Sequence, residues 1–337
     1  MLTDTPGIHH VTGLVESAQR NVDFYAGVLG LRLVKRTVNQ NDMLRYHLFY
    51  GNEAGDPGTV LTCFPYPNEV PGRVGKPQIS AVAFVVPEGS LPYWRGRLAD
   101  HGVGKTTESS SPAHRNTECS ADVDVIGTDS RFGDRVLRFT DPDGTNVELV
   151  EGEAPVEPWT GGPVPEAYAI RCVHSVTALP TNPYTTGALL ETLGLEFVGE
   201  ERTRDETRIR YEADGEYATV IDLLDRPTSE FGREGTGSIQ HVAVRAESVE
   251  ELYEWHDFLR DRDYDVSRVH DRYFFHSLYV REPGGILVEL ATEKPGLAFD
   301  EDVADLGESL RLPDQFAEDR DLIERQLPPL SVPYLDD

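Results

Sequence analysis

The stretch Ile8-His9-His10-Val11 places two histidines among branched apolar residues, and a near copy, Ile239-Gln240-His241-Val242, follows much later in the chain. A third stretch, running from Gly284 to Leu290, is apolar apart from Glu289. An ionised carboxylate in such a strand is costly unless a cation or a hydrogen-bond donor meets it. We therefore interpret the three stretches as strands whose side chains meet in the fold.

The first part of the chain repeats in the second. Gly30–Val34 recurs as Gly194–Val198, 164 residues on, and the same offset aligns His10 with His174 without a gap. Two further segments begin in the same way, at Ile79 and at Ile239, and each ends in a turn followed by a strand that carries an acid. The spacing of apolar residues predicts one helix in each unit, over 18–29, 92–101, 185–193 and 249–261.

The chain therefore contains four similar units of a strand, a helix and about three strands, and such units usually pair to share a core. We expect an N-terminal pair of modules over residues 1–152 and a C-terminal pair over 169–293, joined by a linker rich in proline and glycine over 153–168. Residues 106–135 are polar and lack periodicity, which predicts an inserted loop. Residues 294–337 form an acidic tail, in which we predict a helix over 314–327.

Composition excludes several classes of protein. The 337 residues are 39% hydrophobic, with no apolar run long enough to span a membrane and no secretory signal at the N-terminus. The three cysteines are widely spaced and odd in number, which indicates reduced thiols and a cytoplasmic protein. Neither a phosphate-binding loop nor a dinucleotide-binding motif is present.

The net charge of −28 arises from 59 acidic and 31 basic residues, of which only four are lysine. A field of this sign repels nucleic acids and anionic membranes, so neither is expected as a partner. Salt at molar concentration shortens the range of such repulsion to about 3 Å. We therefore expect a halophilic protein that folds best in a salt-rich cytoplasm.

Two neutral imidazoles and one carboxylate on one side of a metal form the facial triad of non-haem Fe(II) oxygenases, which leaves three coordination positions open. The residues alone admit two sets. If the last two modules share a barrel, His174 joins His241 and Glu289. If the first module pairs with the last, His10 takes the place of His174.

Three N-terminal segments, 7–12, 21–25 and 28–35, and three C-terminal ones, 271–275, 279–285 and 327–330, resemble the hydroquinone-type ring-cleaving dioxygenases of the vicinal oxygen chelate superfamily. That superfamily contains extradiol dioxygenases, glyoxalase I and bleomycin-resistance proteins. The resemblance implies an α+β fold of four β-α-β-β-β modules paired into two open mixed-sheet barrels. It favours His10, His241 and Glu289 as ligands of Fe(II), or of Mn(II) as in some relatives.

Thr12 lies two residues after His10, so strand alternation places it on the same face as that candidate ligand. The resemblance also implies roles for four residues around the metal: His9, Gln240, Arg272 and Tyr279. The hydroxyl of Thr12 would hold a substrate oxygen, Arg272 would stabilise negative charge on reduced oxygen, and Tyr279 would donate to the substrate hydroxyl. Regular alternation would turn His9 and Gln240 to the opposite face of their strands. Relatives often carry histidine at both positions, and glutamine cannot shuttle a proton near neutral pH.

The sequence thus predicts a dioxygenase that opens a hydroquinone- or catechol-type ring with O2, with a small aromatic substrate as its partner. Assembly into a homo-oligomer stays open. Two other hypotheses are a metal-dependent lyase or isomerase of the glyoxalase type, which consumes no oxygen, and a metal-free protein that binds an aromatic compound.

Overall fold

A computed structural model describes residues 2–103 and 127–335. The first module consists of β1 (Ile8–Val15), α1 (Ala18–Val22), a π-helical turn (Asp23–Val28), β2 (Arg32–Asn39), β3 (Asp42–Gly51) and β4 (Val60–Pro65). The second consists of β5 (Gln78–Val86), α2 (Leu91–Asp100), β6 (Gly127–Arg131), β7 (Asp134–Thr140) and β8 (Asn146–Glu151).

The third module repeats this order with β9 (Val173–Leu179), α3 (Pro183–Thr192), β10 (Glu196–Arg202), β11 (Thr207–Glu212) and β12 (Val220–Asp225). The fourth consists of β13 (Ser238–Ala246), α4 (Val249–Arg260), the short β14 (Asp265–Val266) and β15 (His270–Asp271), β16 (His276–Arg281) and β17 (Leu287–Thr292). The predicted α+β fold of four modules is therefore confirmed.

The modules pair across the middle of the chain. In the first barrel, formed by the first and fourth modules, β1 runs antiparallel to β13. In the second barrel, formed by the second and third modules, β5 runs antiparallel to β9. A single pairing between Ile239 and Ile79 connects the barrels, so that the strands form one continuous mixed sheet. The barrels therefore do not coincide with the N- and C-terminal halves of the sequence.

The helices cover the barrels with their apolar faces. In α4, Leu252, Trp255 and Leu259 are buried on one face, and burial of such side chains contributes about 1.5–3 kcal/mol each. The Ser248 hydroxyl accepts a hydrogen bond from the backbone N–H of Glu251 at 3.2 Å, which caps the first turn. None of the helices in the described ranges is both long and apolar enough to cross a membrane.

The tail wraps around the first barrel. Lys35 on β2 is fully buried, and its ammonium contacts the carboxylate of Asp300 at 2.8 Å and that of Glu301. The hydroxyl of Tyr334 accepts a hydrogen bond from the backbone N–H of Leu33 at 2.9 Å. The predicted helix of the tail is divided into a 3₁₀ segment (Asp314–Asp319) and α5 (Arg320–Gln326).

One predicted boundary is wrong. The inserted loop predicted over 106–135 cannot extend to its end, because residues 127–131 and the start of β7 form a hairpin through Phe132 and Gly133. Both turn residues have positive φ, which a tight turn requires and which glycine adopts at no cost. The rest of the predicted loop, with Cys119, lies outside the described residues, while Cys63 and Cys172 are free and buried.

Candidate metal centre

Three adjacent strands of the first barrel bring the candidate ligands together. Ala243 on β13 lies opposite His10 of β1 on one side and Glu289 of β17 on the other. His241 lies two residues before Ala243, and side chains two residues apart share a face of a strand. The small side chain at position 243 leaves room between the three larger ones. The strand register thus brings three segments that are distant in sequence together, so that His10, His241 and Glu289 form one cluster.

The three ligand atoms surround a space of metal size. His10 Nε2 lies 3.4 Å from Glu289 Oε2 and 3.4 Å from His241 Nε2, and His241 Nε2 lies 2.8 Å from Glu289 Oε2. Ligands at right angles around an ion with bonds of about 2.1 Å are about 3.0 Å apart. His10 and His241 are almost fully buried and Glu289 is fully buried. The set therefore fits a divalent cation with its remaining positions open.

The pKa shifts of Glu289 and His241 also favour binding of a cation at this cluster. Burial would raise the pKa of Glu289, but the nearby His10 and His241 hold the pKa of that carboxyl well below its usual range. Burial lowers the pKa of His241. Both carboxylate oxygens of Glu289 are buried without a hydrogen-bond partner among the described residues. An ionised, buried carboxylate beside two imidazole nitrogens is the donor set that a divalent metal ion satisfies.

His9 and Gln240 do not follow regular alternation. The ladder between β1 and β13 skips His9, between Ile8 and His10, and also skips Gln240, so each is the extra residue of a β-bulge. His9 Nδ1 lies 2.9 Å from His10 Nδ1, and Gln240 Oε1 lies 3.2 Å from His241 Nδ1. Each bulged residue therefore meets the outer ring nitrogen of its neighbour, leaving Nε2 directed at the site.

Burial and the adjacent His10 lower the pKa of His9 to about 3. Its imidazole is therefore neutral near neutral pH. When His10 and His241 bind a cation through Nε2, His9 would accept the Nδ1–H of His10, and Gln240 Oε1 would accept that of His241. Such acceptors fix the tautomer and the orientation of a ligating histidine. The opposite-face orientation predicted for regular strands does not apply at these two positions, because each residue lies in a bulge.

The candidate ligands line a cavity of about 410 Å³. Its lining includes several aromatic rings: Phe49, Phe64, Phe274 and Phe275. It also includes the polar residues Asn39, Asn41 and Asp42. Pro313 of the tail also contributes to the lining. A cavity of this volume with aromatic walls accommodates a single substituted ring.

Arg272 and Tyr279 lie together at the cavity. The guanidinium of Arg272 stands 5.2 Å from the centre of the Tyr279 ring, and that ring meets His241 edge-on at 5.6 Å. Tyr279 lies opposite Glu289 in the ladder between β16 and β17. Burial and the charge of Glu289 raise the pKa of the Tyr279 phenol. Its hydroxyl is therefore protonated and able to donate, and Arg272 supplies the fixed positive charge.

Thr12 also lines the cavity, two residues beyond His10, as predicted from the alternation of β1. Its hydroxyl lies 2.9 Å from that of Thr62 on β4. Sequence reasoning assigned no role to His47, which lines the same cavity and whose Nε2 lies 3.0 Å from the Thr62 hydroxyl. The alternation of β3 could have placed His47 on an inward face, but it could not have identified its partner.

His174 belongs to the second barrel, away from the site. The ungapped repeat aligns it with His10, but the ladder between β5 and β9 skips His174 and pairs Ser175 with Ala83. Ser175 therefore occupies the position that corresponds to His10, and His174 corresponds to the bulged His9. The corresponding positions for His241 and Glu289 are Ala81 and Glu148.

The chain belongs to the glyoxalase/bleomycin resistance protein/dioxygenase superfamily, whose family model matches residues 7–149 and 189–290. It is 39% identical over the full length of both chains to MhqO of Bacillus subtilis (strain 168), which is named as a ring-cleaving dioxygenase. It is 32% identical to the chlorohydroquinone/hydroquinone 1,2-dioxygenase of Sphingobium indicum, over 95% of each chain.

A crystal structure of a protein from Bacillus subtilis described as a dioxygenase superposes with a TM-score of 0.86 and 39% identity, covering 98% of this chain and 99% of that one. The predicted family is therefore confirmed. Relatives of this kind support an enzymatic function, and the three buried ligand candidates are compatible with a metal-dependent one.

Proposed function

We propose that the protein is a non-haem Fe(II) dioxygenase that opens a hydroquinone- or catechol-type aromatic ring by extradiol-type cleavage with O2, with Mn(II) as the alternative metal. The observation that carries the proposal is the convergence of His10, His241 and Glu289 at one cavity with aromatic walls. The names of the relatives from Bacillus and Sphingobium support the same reaction class. The proposal retains the predicted cytoplasmic location.

When bound, the metal would bring the substrate hydroxyl and O2 together and carry electron density between them. The side chains of the cavity would position the substrate for this reaction. Phe49, Phe64 and Phe275 would hold the ring by apolar contact and exclude water. The hydroxyl of Tyr279 would donate to an oxygen of the substrate, and Arg272 would stabilise negative charge that develops beside it.

His9 and Gln240 would keep the ligating rings in place through their Nδ1 atoms. Neither needs to touch the substrate for this role. Thr12 would accept or donate a hydrogen bond at the substrate hydroxyl, since its side chain faces the cavity beside the ligands. The residues around the site would thus have three roles: apolar contact with the substrate ring, stabilisation of negative charge on the substrate, and orientation of the ligating histidines.

The experiment is anaerobic reconstitution with Fe(II), followed by an oxygen-electrode screen of hydroquinones and catechols. We expect one metal ion per chain and uptake of one O2 per ring opened, with loss of the aromatic absorbance. Metal binding without oxygen uptake on any of these substrates would favour the lyase or isomerase hypothesis. Absence of metal binding would favour a binding protein.

A further inference from the structure

Three side chains of the first barrel form a continuous hydrogen-bonded row that begins at the cavity. Thr12 Oγ1 lies 2.9 Å from Thr62 Oγ1, and Thr62 Oγ1 lies 3.0 Å from His47 Nε2. Thr12 and Thr62 are almost completely buried and lie opposite each other on β1 and β4. Because each hydroxyl can accept one hydrogen bond while donating another, the row can conduct a proton.

The ring of His47 is held in a fixed orientation. It lies between Phe49 and Phe64, whose ring centres are 4.0 Å and 4.1 Å away. Burial, with the nearby His10, lowers the pKa of His47 well below its usual range. Its imidazole is thus neutral at rest, and its Nε2 is available to accept a proton through Thr62.

The charged and titratable surroundings of His47 are mixed. The groups that face it come from β1, β13, the turn before β16, and β17: His10, His241, Arg272 and Glu289. Its ladder partner on β2, Thr37, and its hydrogen-bond partner on β4, Thr62, carry no charge. Of the four facing groups, only Glu289 favours a proton on His47.

The second barrel contains an equivalent row of hydrogen-bonded side chains, but that row does not end in a histidine. The positions that correspond to Thr12, Thr62 and His47 are occupied by Thr177, Asp222 and Arg208. Arg208 Nη1 donates to Thr177 Oγ1 at 3.1 Å and to Asp222 Oδ2 at 3.0 Å. A guanidinium does not release its proton in proteins, so this row is a permanent ion pair. A titratable end is present only in the barrel that has the candidate metal centre.

We propose that His47, Thr62 and Thr12 form a proton relay that removes the proton from a phenolic hydroxyl bound at the metal centre; this inference rests on the proposed function. The substrate O–H bond breaks and its proton goes to Thr12 Oγ1. Thr12 passes its own proton to Thr62 Oγ1, and Thr62 passes its proton to His47 Nε2. The phenol becomes a phenolate, His47 becomes an imidazolium, and both threonines end as hydroxyls.

The relay can be tested by two measurements on one phenol: the rate at which it loses its proton, and the number of protons released to solvent. Anaerobic mixing of the metal-loaded protein with 4-nitrophenol, whose phenolate absorbs visible light, gives the rate of deprotonation. A pH indicator in weak buffer gives the number of protons released to solvent. In the wild type we expect fast phenolate formation with release of about one proton to solvent, because the lowered pKa of His47 makes it a transient carrier of the proton. Neither measurement requires turnover.

Thr62→Val and Thr62→Ser form the decisive pair. Valine has the shape of threonine but breaks the row, and we expect it to slow phenolate formation on the order of 10²-fold, the lower range for loss of a positioned acid–base group. Serine retains the hydroxyl and should keep the rate within a few-fold of wild type. Equal rates in the two variants would overturn the relay.

His47→Gln keeps a polar side chain but removes the proton acceptor. We expect phenolate formation to slow to about the rate of Thr62→Val, because the row then ends without an acceptor, while the total number of protons released stays the same. The control is His101→Gln, which changes an exposed histidine after α2. A wild-type rate of phenolate formation in His47→Gln at full metal content would overturn the assignment. Absence of oxygen uptake by the wild type would contradict the proposed function alone, because the nitrophenol measurements would still decide the relay.

Discussion

The two barrels bury a glutamate at the same register position and compensate it differently. Glu289 lies opposite Ala243 and faces His10 and His241, whereas Glu148 lies opposite Ala83 and faces arginines. Glu148 Oε2 lies 2.6 Å from the guanidinium of Arg131, and Glu148 Oε1 lies 3.3 Å from that of Arg138. The second barrel therefore neutralises its carboxylate with permanent charges of its own.

The difference explains why, within the described residues, two barrels with the same strand arrangement contain one candidate metal centre. Imidazoles that ligate a metal ion must be neutral and then do not balance a buried carboxylate, so a cation would complete the cluster in the first barrel. In the second barrel, Arg131 on β6 already takes that position, and Asp222 is held by Arg208 and Arg210 at 3.0 Å and 2.9 Å. The ion pairs make that barrel independent of metal.

The largest expected effect is on metal binding. His10→Ala, His241→Ala and Glu289→Ala should each abolish stoichiometric metal binding, because three ligands are the minimum that the cluster provides. His174→Ala and Ser175→Ala are the matched controls from the second barrel and should retain one ion per chain. Metal analysis of the purified variants measures the effect, and full occupancy in His10→Ala would move the site elsewhere.

Next in size is the stability of the second barrel. Arg131→Met leaves Glu148 with only part of its compensation, and breaking a buried ion pair costs about 3 kcal/mol of unfolding free energy. Urea denaturation should show this loss, and adding Glu148→Gln to Arg131→Met should recover most of it. Metal content should stay unchanged throughout. A stable single variant would mean that Arg138 alone satisfies the carboxylate.

A smaller effect is expected at the bulge beside His241. Gln240→Ala removes the acceptor of the His241 Nδ1–H, and loss of such an acceptor typically weakens metal binding or activity about 10–100-fold. Gln240→His keeps an acceptor and adds a titratable group, so we expect full metal content and raised turnover on a hydroquinone. Oxygen consumption at equal iron content tests this, and identical kinetics in Gln240→His and wild type would leave position 240 with an orienting role only.

The pH dependence of the second barrel follows from His174. Burial lowers the pKa of His174 to about 4, below its ordinary value of 6.5. Between those values the unfolded chain binds more protons, so folding stability decreases as pH falls, by at most about 1.4 kcal/mol per pH unit. His174→Gln should flatten this part of the profile measured by urea denaturation at pH 7 to 4. A slope equal to that of wild type would assign the acid sensitivity to other groups.

The smallest effect concerns salt. With a net charge of −28, thermal melts in increasing KCl should show a midpoint that rises by several degrees as repulsion between surface carboxylates is screened. The ion pairs of the second barrel are buried and should contribute little to this slope, so Arg131→Met should show the same salt dependence as wild type. A flat profile up to molar salt would refute the halophilic hypothesis.

The sequence alone predicted the modular fold, because turn residues and apolar periodicity recur in each unit. It also predicted the candidate ligands, since a histidine or a glutamate in an apolar strand requires compensation. It could not decide between His10 and His174, because that choice depends on which modules pair. Strand pairing is a long-range property that local pattern does not encode.

The β-bulges are a second feature that could not be predicted from the sequence. One extra residue in β1 and one in β13 re-aim His9 and Gln240, and an extra residue in β9 moves His174 out of the position of His10. Alternation of side chains cannot predict such an insertion, since it assumes a regular ladder. The partnership of His47 with Thr62 was missed for a related reason, because it joins the side chains of separate strands.

We expect one cation to bind in the first barrel and none in the second. A crystal structure of the Fe(II)-loaded protein, grown without oxygen and measured at the iron absorption edge, tests it directly. We expect one anomalous peak per chain, within bonding distance of His10 Nε2, His241 Nε2 and Glu289. A peak beside Glu148 or Asp222, or none at the three residues of the first barrel, would contradict the account.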